Sequence, residues 1–435
     1  MADMVARHVP AGARLLLGFS GGLDSSVLLH VLAALRARHP FALAAVHVHH
    51  GLSPNADAWA DFCVRMCAAH AVPLTLARVR VDCDDPAGIE GAARQARRHA
   101  FEACSGDFLL TAQHRDDQAE TFLLQALRGA GPKGLAAMAE CRRPSGSRLV
   151  HLRPLLAVSR EDLHAAACAA GIEWVEDESN ADTLYRRNAL RHRVLPALRE
   201  HFPAAGAALA RAAAHQAEAA GLLDELARLD AAGSLTGERL DCAALAALPR
   251  ARARNLLRYF LAGRGARMPG ARRLDEALRQ VCDARADAQV RVALENAELR
   301  RYRGGAYVVG AIPSPEPQVW LGEPALTLPG LGTLHLRRET GRGLPAEALV
   351  PERTVLDVRR GGERLRLAAG APTRNLKTLL QACALPPWER ERLPVLRLEG
   401  AVLWAAGFGV NADWQVAADA PGWMPDWRPA VADSA

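Results

Sequence analysis

A glycine turn between an apolar run and a helical stretch constrains the fold of this 435-residue chain more than any other feature. Residues 15–19 are Leu-Leu-Leu-Gly-Phe, residues 20–26 are Ser-Gly-Gly-Leu-Asp-Ser-Ser, and residues 27–29 are Val-Leu-Leu. This order predicts a buried strand, a tight turn and the start of a helix. Backbone N–H groups and the positive end of a helix dipole make such a turn a site for an anion.

The residue types in the turn suit a nucleotide phosphate. Its glycines permit close approach of the backbone, and its serines add hydroxyl donors. Asp24 would repel a bare phosphate but suits one that carries Mg²⁺, so we predict a magnesium ligand there. No GxxxxGK[ST] pattern is present, which excludes a Walker-type loop. The alternative to a phosphate-binding loop is an ordinary Gly–Ser turn between a strand and a helix. The predicted ATP-binding residues of the turn are Ser20, Gly21, Gly22, Leu23, Asp24, Ser25 and Ser26.

The first half of the chain alternates apolar strands with helical stretches. The predicted strands are 14–19, 41–48, 73–81 and 107–112, and the predicted helices between them are 24–38, 56–71 and 88–104. This alternation predicts the α/β class, with a Rossmann-like parallel sheet and helices on both faces. Ligands bind such sheets beyond the carboxyl ends of the strands, where three of the motifs described here would meet.

The remaining chain divides by composition. We predict a catalytic domain at 1–202, a linking helix and a mostly helical domain at 203–310, a Pro/Gly-rich linker at 311–330, a small α+β domain at 331–418, and a poorly ordered tail at 419–435. Alanine-rich helical periodicity over 203–230 predicts the linking helix.

Charge and cysteine content limit the class of protein. A net charge of +6 and a pI near 9.0 suit a polyanionic partner such as RNA, although this signal is weak alone. Nine cysteines at scattered spacings, with no CxxC, indicate reduced thiols in a cytoplasmic protein rather than a zinc site. We expect no membrane segment, because no apolar stretch is long enough and the N-terminus lacks the apolar core of a signal peptide.

Histidines close the second predicted strand, in the sequence His-Val-His-His-Gly-Leu-Ser at 47–53. Alternation along a strand points these side chains in different directions, and no acidic ligand adjoins them, which argues against a metal site. We predict that the backbone near His47 forms a wall of the nucleotide pocket; a purely structural role is the alternative.

Two further segments carry charged side chains towards the same edge of the sheet. Arg94 opens a basic helix face with the fixed donor geometry that phosphate needs, although a solvated face is the alternative. After the fourth strand, Asp117 and Glu120 share a helix face, and such paired carboxylates need a cation, either Mg²⁺ or an ammonium group. An acidic helix cap is the other interpretation.

These segments together resemble the tRNA(Ile)-lysidine synthase family of the PP-loop ATP-pyrophosphatase superfamily. In chain order they are 20–26 (SGGLDSS), 47–53 (HVHHGLS), 90–94 (EGAAR), 111–121 (TAQHRDDQAET), 127–135 (LRGAGPKGL), 153–156 (RPLL) and 177–191 (DESNADTLYRRNALR). In the last domain, 359–364, 376–377, 386–388 and 392–394 are similar to the family's terminal domain. Gln113 departs from the pattern, where histidine is more usual.

The resemblance implies an adenine nucleotide alpha hydrolase-like fold and a two-step reaction. ATP would adenylylate C2 of the wobble cytidine in the CAU anticodon of tRNA(Ile), and free L-lysine would displace AMP. The catalytic residues would be Asp24, Arg94, Asp117 and Glu120; ATP would also contact His47 and His114; Asp117 and Glu120 would bind lysine. The RNA would contact Arg128, Lys133, Arg187, Asn188, Arg191, Arg374 and Lys377. A homodimer is an open alternative to a monomer.

Other function classes make distinct demands on the sequence. A tRNA thiolase would need a persulfide-bearing cysteine or paired CxxC ligands, and an amidating synthetase would need a glutaminase domain; neither is evident. A catalytically inactive RNA-binding protein would not need intact Ser20, Asp24, Asp117 and Glu120. The sequence therefore favours the ATP-dependent ligase.

Overall fold

A computed structural model describes residues 1–82, 84–85, 88–144, 146–178, 186–285, 288, 290–310, 315–383 and 385–430. The chain forms two compact units, residues 1–229 and residues 230–435. Residues 179–185 of the predicted 177–191 motif, 311–314 of the predicted linker and 431–435 of the predicted tail lie outside the described residues.

The first unit contains a six-stranded sheet, confirming the predicted α/β class. In chain order its strands are β1 (Arg14–Gly18), β2 (Ala42–His49), β3 (Leu74–Arg78), β4 (Phe108–Leu110), β5 (Cys141–Arg142) and β6 (Val150–Leu152). The spatial order is β3-β2-β1-β4-β6-β5. All neighbouring pairs are parallel except β5 with β6. Strand β1 lies between β2 and β4, so the chain segments that follow these three strands emerge side by side.

Helices pack on both faces of this sheet. The helices up to residue 231 are α1 (Ala2–His8), α2 (Leu23–Leu35), α3 (Ala56–Ala69), α4 (Gly88–Ala103), α5 (Arg115–Ala126), α6 (Pro132–Leu135), α7 (Arg160–Ala169), α8 (Arg186–Ala189), α9 (Leu195–His201) and α10 (Ala205–Ala231). A π-helical turn, Leu190–Val194, joins α8 to α9. Leu15 and Leu17 of β1 pack in one buried cluster, whereas Leu16 packs in another. This alternation is the side-chain pattern of a strand covered on both faces.

The second unit begins with helices and a five-stranded sheet. The elements are β7 (Leu235–Thr236), β8 (Arg239–Asp241), α11 (Cys242–Ala247), α12 (Arg250–Gly263), α13 (Ala271–Asp283), β9 (Arg291–Ala293), β10 (Ala297–Tyr302) and β11 (Gly305–Gly310). The sheet order is β7-β8-β11-β10-β9. The helices share a buried core with this sheet, in which Leu256, Leu274 and Leu299 are fully buried.

The rest of the second unit is β-rich. Its strands are β12 (Gln318–Val319), β13 (Ala325–Leu328), β14 (Gly332–Thr340), β15 (Thr354–Val358), β16 (Arg364–Leu365), β17 (Arg374–Asn375), β18 (Pro394–Leu398), β19 (Ala401–Ala405), β20 (Gly409–Val410) and β21 (Pro421–Pro429), with α14 (Leu376–Ala382) and α15 (Pro387–Glu391). Strands β12 and β13 lie within the predicted linker and pair with β15 and β14.

The prediction of a poorly ordered tail is wrong for residues 421–429. Strand β21 pairs with β14 over nine residues and forms one edge of the three-stranded sheet β13-β14-β21. Pro421, Pro425 and Pro429 of this strand are spaced by four residues and therefore face the same way. On that side Trp423 donates its N–H to the Leu344 carbonyl rather than to β14. The missing proline donors thus cost no bond to β14.

No helix within the described residues is both long and apolar enough to cross a bilayer.

Candidate active site

The loop between β1 and α2 is braced by its own hydroxyl groups. Gly21 adopts φ +83°, and Gly22 is the N-cap of α2. The Ser25 hydroxyl donates to the Gly22 carbonyl at 3.0 Å, and the Ser26 hydroxyl donates to the Gly21 carbonyl at 3.2 Å. Ser20 Oγ lies 3.1 Å from Ser25 Oγ. These serines therefore fix the shape of the loop in addition to any contact with phosphate.

Glycine is required at position 21 for two reasons. A φ of +83° lies in the left-handed region that residues with a side chain rarely adopt. A Cβ atom here would also lie 3.0 Å from Cys63 Sγ and 3.2 Å from atoms of both Phe62 and Val175. The loop thus rests directly on the buried core, which holds its backbone N–H groups in place.

Asp24 carries the carboxylate nearest to the loop. One of its oxygens, Oδ1, is buried without a hydrogen-bond partner among the described residues, and the other lies 3.6 Å from His114 Nε2. Burial raises the pKa of Asp24, and the charge of Asp117 raises it further. An unpaired buried carboxylate oxygen fits a divalent cation, and Mg²⁺ commonly takes one or two protein carboxylates plus substrate phosphates. The described residues contain no preformed cluster of three or more metal ligands.

His114 connects the Asp24 side of the cleft to helix α5. It is buried and is the N-cap of α5; its backbone N–H donates to Asp117 Oδ2 at 3.0 Å. Its Nε2 atom also lies 3.5 Å from Asp117 Oδ2. The neighbouring Gln113 accepts a hydrogen bond from the Thr111 hydroxyl at 2.5 Å. The predicted ATP-binding His114 and the predicted lysine-binding Asp117 are therefore in direct contact.

Asp117 and Glu120 form a four-membered ion cluster with two arginines. Arg187 donates to Glu120 Oε2 at 2.7 Å and to Asp117 Oδ1 at 2.9 Å. Arg191 donates to Glu120 Oε1 at 2.6 Å, to Glu120 Oε2 at 3.1 Å and to Asp117 Oδ1 at 3.1 Å. Glu120 is fully buried. Sequence reasoning grouped the carboxylates with lysine and the arginines with RNA, and it did not foresee their contact.

Histidines at the end of β2 lie next to the β1–α2 loop and to helix α4. His47 Nδ1 lies 3.0 Å from the Phe19 carbonyl oxygen, and burial lowers the pKa of this imidazole. Arg97 Nη2 lies 3.5 Å from His50 Nε2, and burial lowers the pKa of His50 to about 4. Although Arg97 is exposed as a residue, desolvation of its guanidinium lowers its pKa, and the charge of Arg94, three residues earlier on the same helix, lowers it further. Because residues three apart on a helix share a face, the sequence already indicated that Arg97 lies beside Arg94.

The other residues predicted to contact RNA lie on exposed elements. Arg128 is exposed just after α5, and Lys133 Nζ contacts Asp224 Oδ1 at 2.6 Å within the first unit. In the second unit, Arg374 and Lys377 are exposed around the start of α14, where Asn375 caps the helix.

The fold and the cleft define a class of protein. A parallel sheet presents a serine–glycine loop, a helix N-terminus, one unpaired carboxylate and basic side chains at the carboxyl ends of β1, β2 and β4, which is the arrangement of an α/β nucleotide-binding enzyme. The family model described as the PP-loop domain matches residues 3–198. Models for the TilS substrate binding domain and the TilS substrate C-terminal domain match residues 240–307 and 355–427.

Similarity to curated proteins extends over almost the whole chain. A tRNA(Ile)-lysidine synthase of Azoarcus sp. (strain BH72) is 44% identical over 429 residues, covering 98% of this chain and 94% of that protein. The protein of the same name from Nitrosomonas europaea is 40% identical over 427 residues, covering 97% and 93%. A solved U34-tRNA thiolase from Methanococcus maripaludis is 16% identical, covers 50% of this chain and 78% of its own, and has a TM-score of 0.41, too low for inference. The chain is an enzyme of the tRNA(Ile)-lysidine synthase family.

Proposed function

We propose that this enzyme joins free L-lysine to C2 of the wobble cytidine in the CAU anticodon of tRNA(Ile), at the expense of ATP. The observation that carries the proposal is the close grouping of the β1–α2 loop, Asp24 and the His114–Asp117 pair beyond the carboxyl ends of the strands. Family membership and the names of its relatives support the choice of RNA and nucleotide. A cytoplasmic location belongs to the same proposal.

In the first step, the C2 oxygen of cytidine attacks the α-phosphorus of ATP, and pyrophosphate leaves. The loop N–H groups and the α2 N-terminus bind the phosphates, and Arg94 and His114 approach them from the neighbouring elements. Asp24 would hold Mg²⁺, which offsets charge on the phosphates when it is bound. The backbone near His47 forms the wall of the nucleotide pocket.

In the second step, the ε-amine of lysine attacks C2, and the C2 oxygen leaves as part of AMP. Lysine is an ammonium ion in water, so it needs an anionic binding site and must lose a proton before it attacks. We assign the ammonium site to the carboxylates of Asp117 and Glu120, which lie one helical turn apart on α5. The anticodon bases must be turned out of their stack to reach it, while backbone phosphates contact the exposed basic residues Arg128, Lys133, Arg374 and Lys377.

Incorporation of radiolabelled lysine into a CAU-anticodon tRNA(Ile) transcript tests the proposal. We expect labelling only with ATP present, and none of an elongator tRNA(Met) that has the same anticodon. Release of pyrophosphate without lysine incorporation would retain the adenylylation step and reject lysine as the nucleophile. Labelling of both tRNAs would reject the proposed specificity.

A further inference from the structure

The imidazole of His47 contacts the peptide group at which the β1–α2 loop begins. Strand β1 ends at Gly18, and the Phe19 N–H then donates to the Val46 carbonyl at 2.9 Å. The carbonyl oxygen of the same Phe19 lies 3.0 Å from Nδ1 of His47. A side chain of β2 therefore continues the bonding between the two strands at the point where β1 turns into the loop.

This contact determines which nitrogen of the imidazole carries the proton. A carbonyl oxygen only accepts hydrogen bonds, so a distance of 3.0 Å requires a proton on Nδ1. Burial lowers the pKa of His47 and keeps the ring neutral, which leaves Nε2 without a proton. Cys63 Sγ also lies 3.3 Å from Nδ1, but burial raises the pKa of this thiol to about 12, so it brings no negative charge to the ring.

Two further carbonyl groups of the loop are held by donors. The Gly21 carbonyl accepts from the Ser26 hydroxyl at 3.2 Å and from the Val175 N–H at 3.0 Å. The Gly22 carbonyl accepts from the Ser25 hydroxyl at 3.0 Å. A peptide group is planar and trans, so its N–H points away from its carbonyl. A donor that fixes a carbonyl therefore also fixes the direction of the N–H that follows it.

We propose that His47 is a positioning residue for ATP: through Nδ1–H it holds the Phe19–Ser20 peptide group so that the Ser20 N–H faces the phosphates. The imidazole acts through the backbone and does not need to touch the nucleotide. This role goes beyond the pocket wall expected of the backbone near His47. It rests on the proposed function, because it takes the β1–α2 loop as the phosphate site.

Two amide substitutions at position 47 test the role of a single nitrogen. The amide group of asparagine lies as far along the side chain as Nδ1 of histidine, and that of glutamine lies as far along as Nε2. His47→Asn can therefore still donate to the Phe19 carbonyl, whereas His47→Gln places its donor one atom too far out.

Equilibrium dialysis with radiolabelled ATP and Mg²⁺, without tRNA or lysine, measures the effect on the nucleotide site. We expect His47→Gln to bind ATP about tenfold more weakly than the wild type, which is the upper range for one neutral hydrogen bond. His47→Asn should stay within about threefold of the wild type.

A role in packing alone predicts the opposite order. Asparagine is smaller than glutamine and leaves the larger void at a position where histidine is only 6% exposed. Weaker ATP binding by His47→Asn than by His47→Gln would therefore overturn the proposal, and so would equal affinities of the two variants. Heat unfolding of both variants establishes that each is folded at the temperature of the assay.

The kinetics of tRNA-dependent pyrophosphate release give a second arm. A weaker phosphate site should raise the KM for ATP about tenfold in His47→Gln and leave the KM for tRNA(Ile) unchanged. His30→Gln is the control, since His30 lies on α2 and packs against His70 with ring centroids 5.3 Å apart. The control should keep both wild-type values. An equal rise in the two KM values of His47→Gln, or the same rise in the control, would count against the proposal.

A parallel lysine-transfer assay separates this proposal from the proposed function. If the wild type transfers lysine to tRNA, but His47→Gln binds ATP as tightly as the wild type does, the positioning role is wrong and the function stands. If the wild type binds ATP but transfers no lysine, the proposed function fails, and the order of the two variants still decides the positioning role. If the wild type binds no ATP, both fail.

Discussion

Replacement of Glu120 by glutamine measures how strongly the ion cluster holds the first unit together. The carboxylate accepts three hydrogen bonds from two arginines, at 2.7, 2.6 and 3.1 Å, and it is fully buried. Removing one partner of a buried ion pair costs about 3–5 kcal/mol. Because Arg187 and Arg191 keep partial access to water and also keep Asp117, we expect about 3 kcal/mol for Glu120→Gln, near the low end of that range.

The matched control is Asp224→Asn. Asp224 pairs with Lys133 at 2.6 Å, but the two side chains are 32% and 53% exposed. Exposed ion pairs contribute about 0–1 kcal/mol. Both substitutions remove one negative charge that faces a cation and keep the size of the side chain. The difference between them therefore isolates the effect of burial.

Hydrogen exchange of peptides from α5 measures the loss of stability in the helix that carries Glu120. A loss of about 3 kcal/mol corresponds to opening roughly 100-fold more often, so the slowest amides of α5 should exchange roughly 100-fold faster in Glu120→Gln. In Asp224→Asn they should change by less than about fivefold. Equal acceleration in the two variants, or none in Glu120→Gln, would refute the reasoning.

Three further predictions follow from the cleft. Gly21→Ala adds both backbone strain and crowding and should cost about 2–4 kcal/mol of stability, whereas Gly12→Ala, at φ +79° with open space around it, should cost only about 1–2 kcal/mol in urea unfolding. The pKa of His50 is about 4 in the folded protein and near 6.5 in the unfolded chain. The free energy of unfolding should therefore fall by at most about 3 kcal/mol as the pH drops from 6.5 to 4, because the unfolded chain takes up the proton first. His50→Gln should flatten this part of the stability–pH curve. Asp24→Asn should slow tRNA-dependent pyrophosphate release by about 100-fold or more, with exposed Asp61→Asn unchanged as the control.

The framework of the first unit could be predicted because local patterns and packing agree there. The predicted strand 14–19 and helix 24–38 correspond to Arg14–Gly18 and Leu23–Leu35. Apolar runs of five or six residues between turn signals need two covered faces, and parallel strands place their ends at one edge. The meeting of Ser20, Asp24 and His114 follows from that geometry alone.

The ion cluster could not be predicted, because its partners are far apart in sequence. Arg187 and Glu120 are separated by 67 residues, and nothing local in either segment specifies the other. Their types are equally suited to a solvated surface, to RNA or to each other. Only the packing of the segment 186–194 against α5 determines that the arginines pair with these carboxylates.

The tail illustrates a different limit. The last residues of a chain are often poorly ordered, which was the ground for that prediction. The even spacing of the prolines at 421, 425 and 429 instead puts all three missing donors on one side of an edge strand. Strand β14 supplied the partner that composition could not reveal.

Mass analysis of the nucleosides of a treated tRNA(Ile) transcript tests the central claim most directly. After incubation with enzyme, ATP and lysine, the digest should contain one new nucleoside at the wobble position, with the mass of cytidine plus lysine less one water, and AMP should form in equal amount. Unmodified cytidine at that position, or a lysine adduct elsewhere in the RNA, would contradict the account.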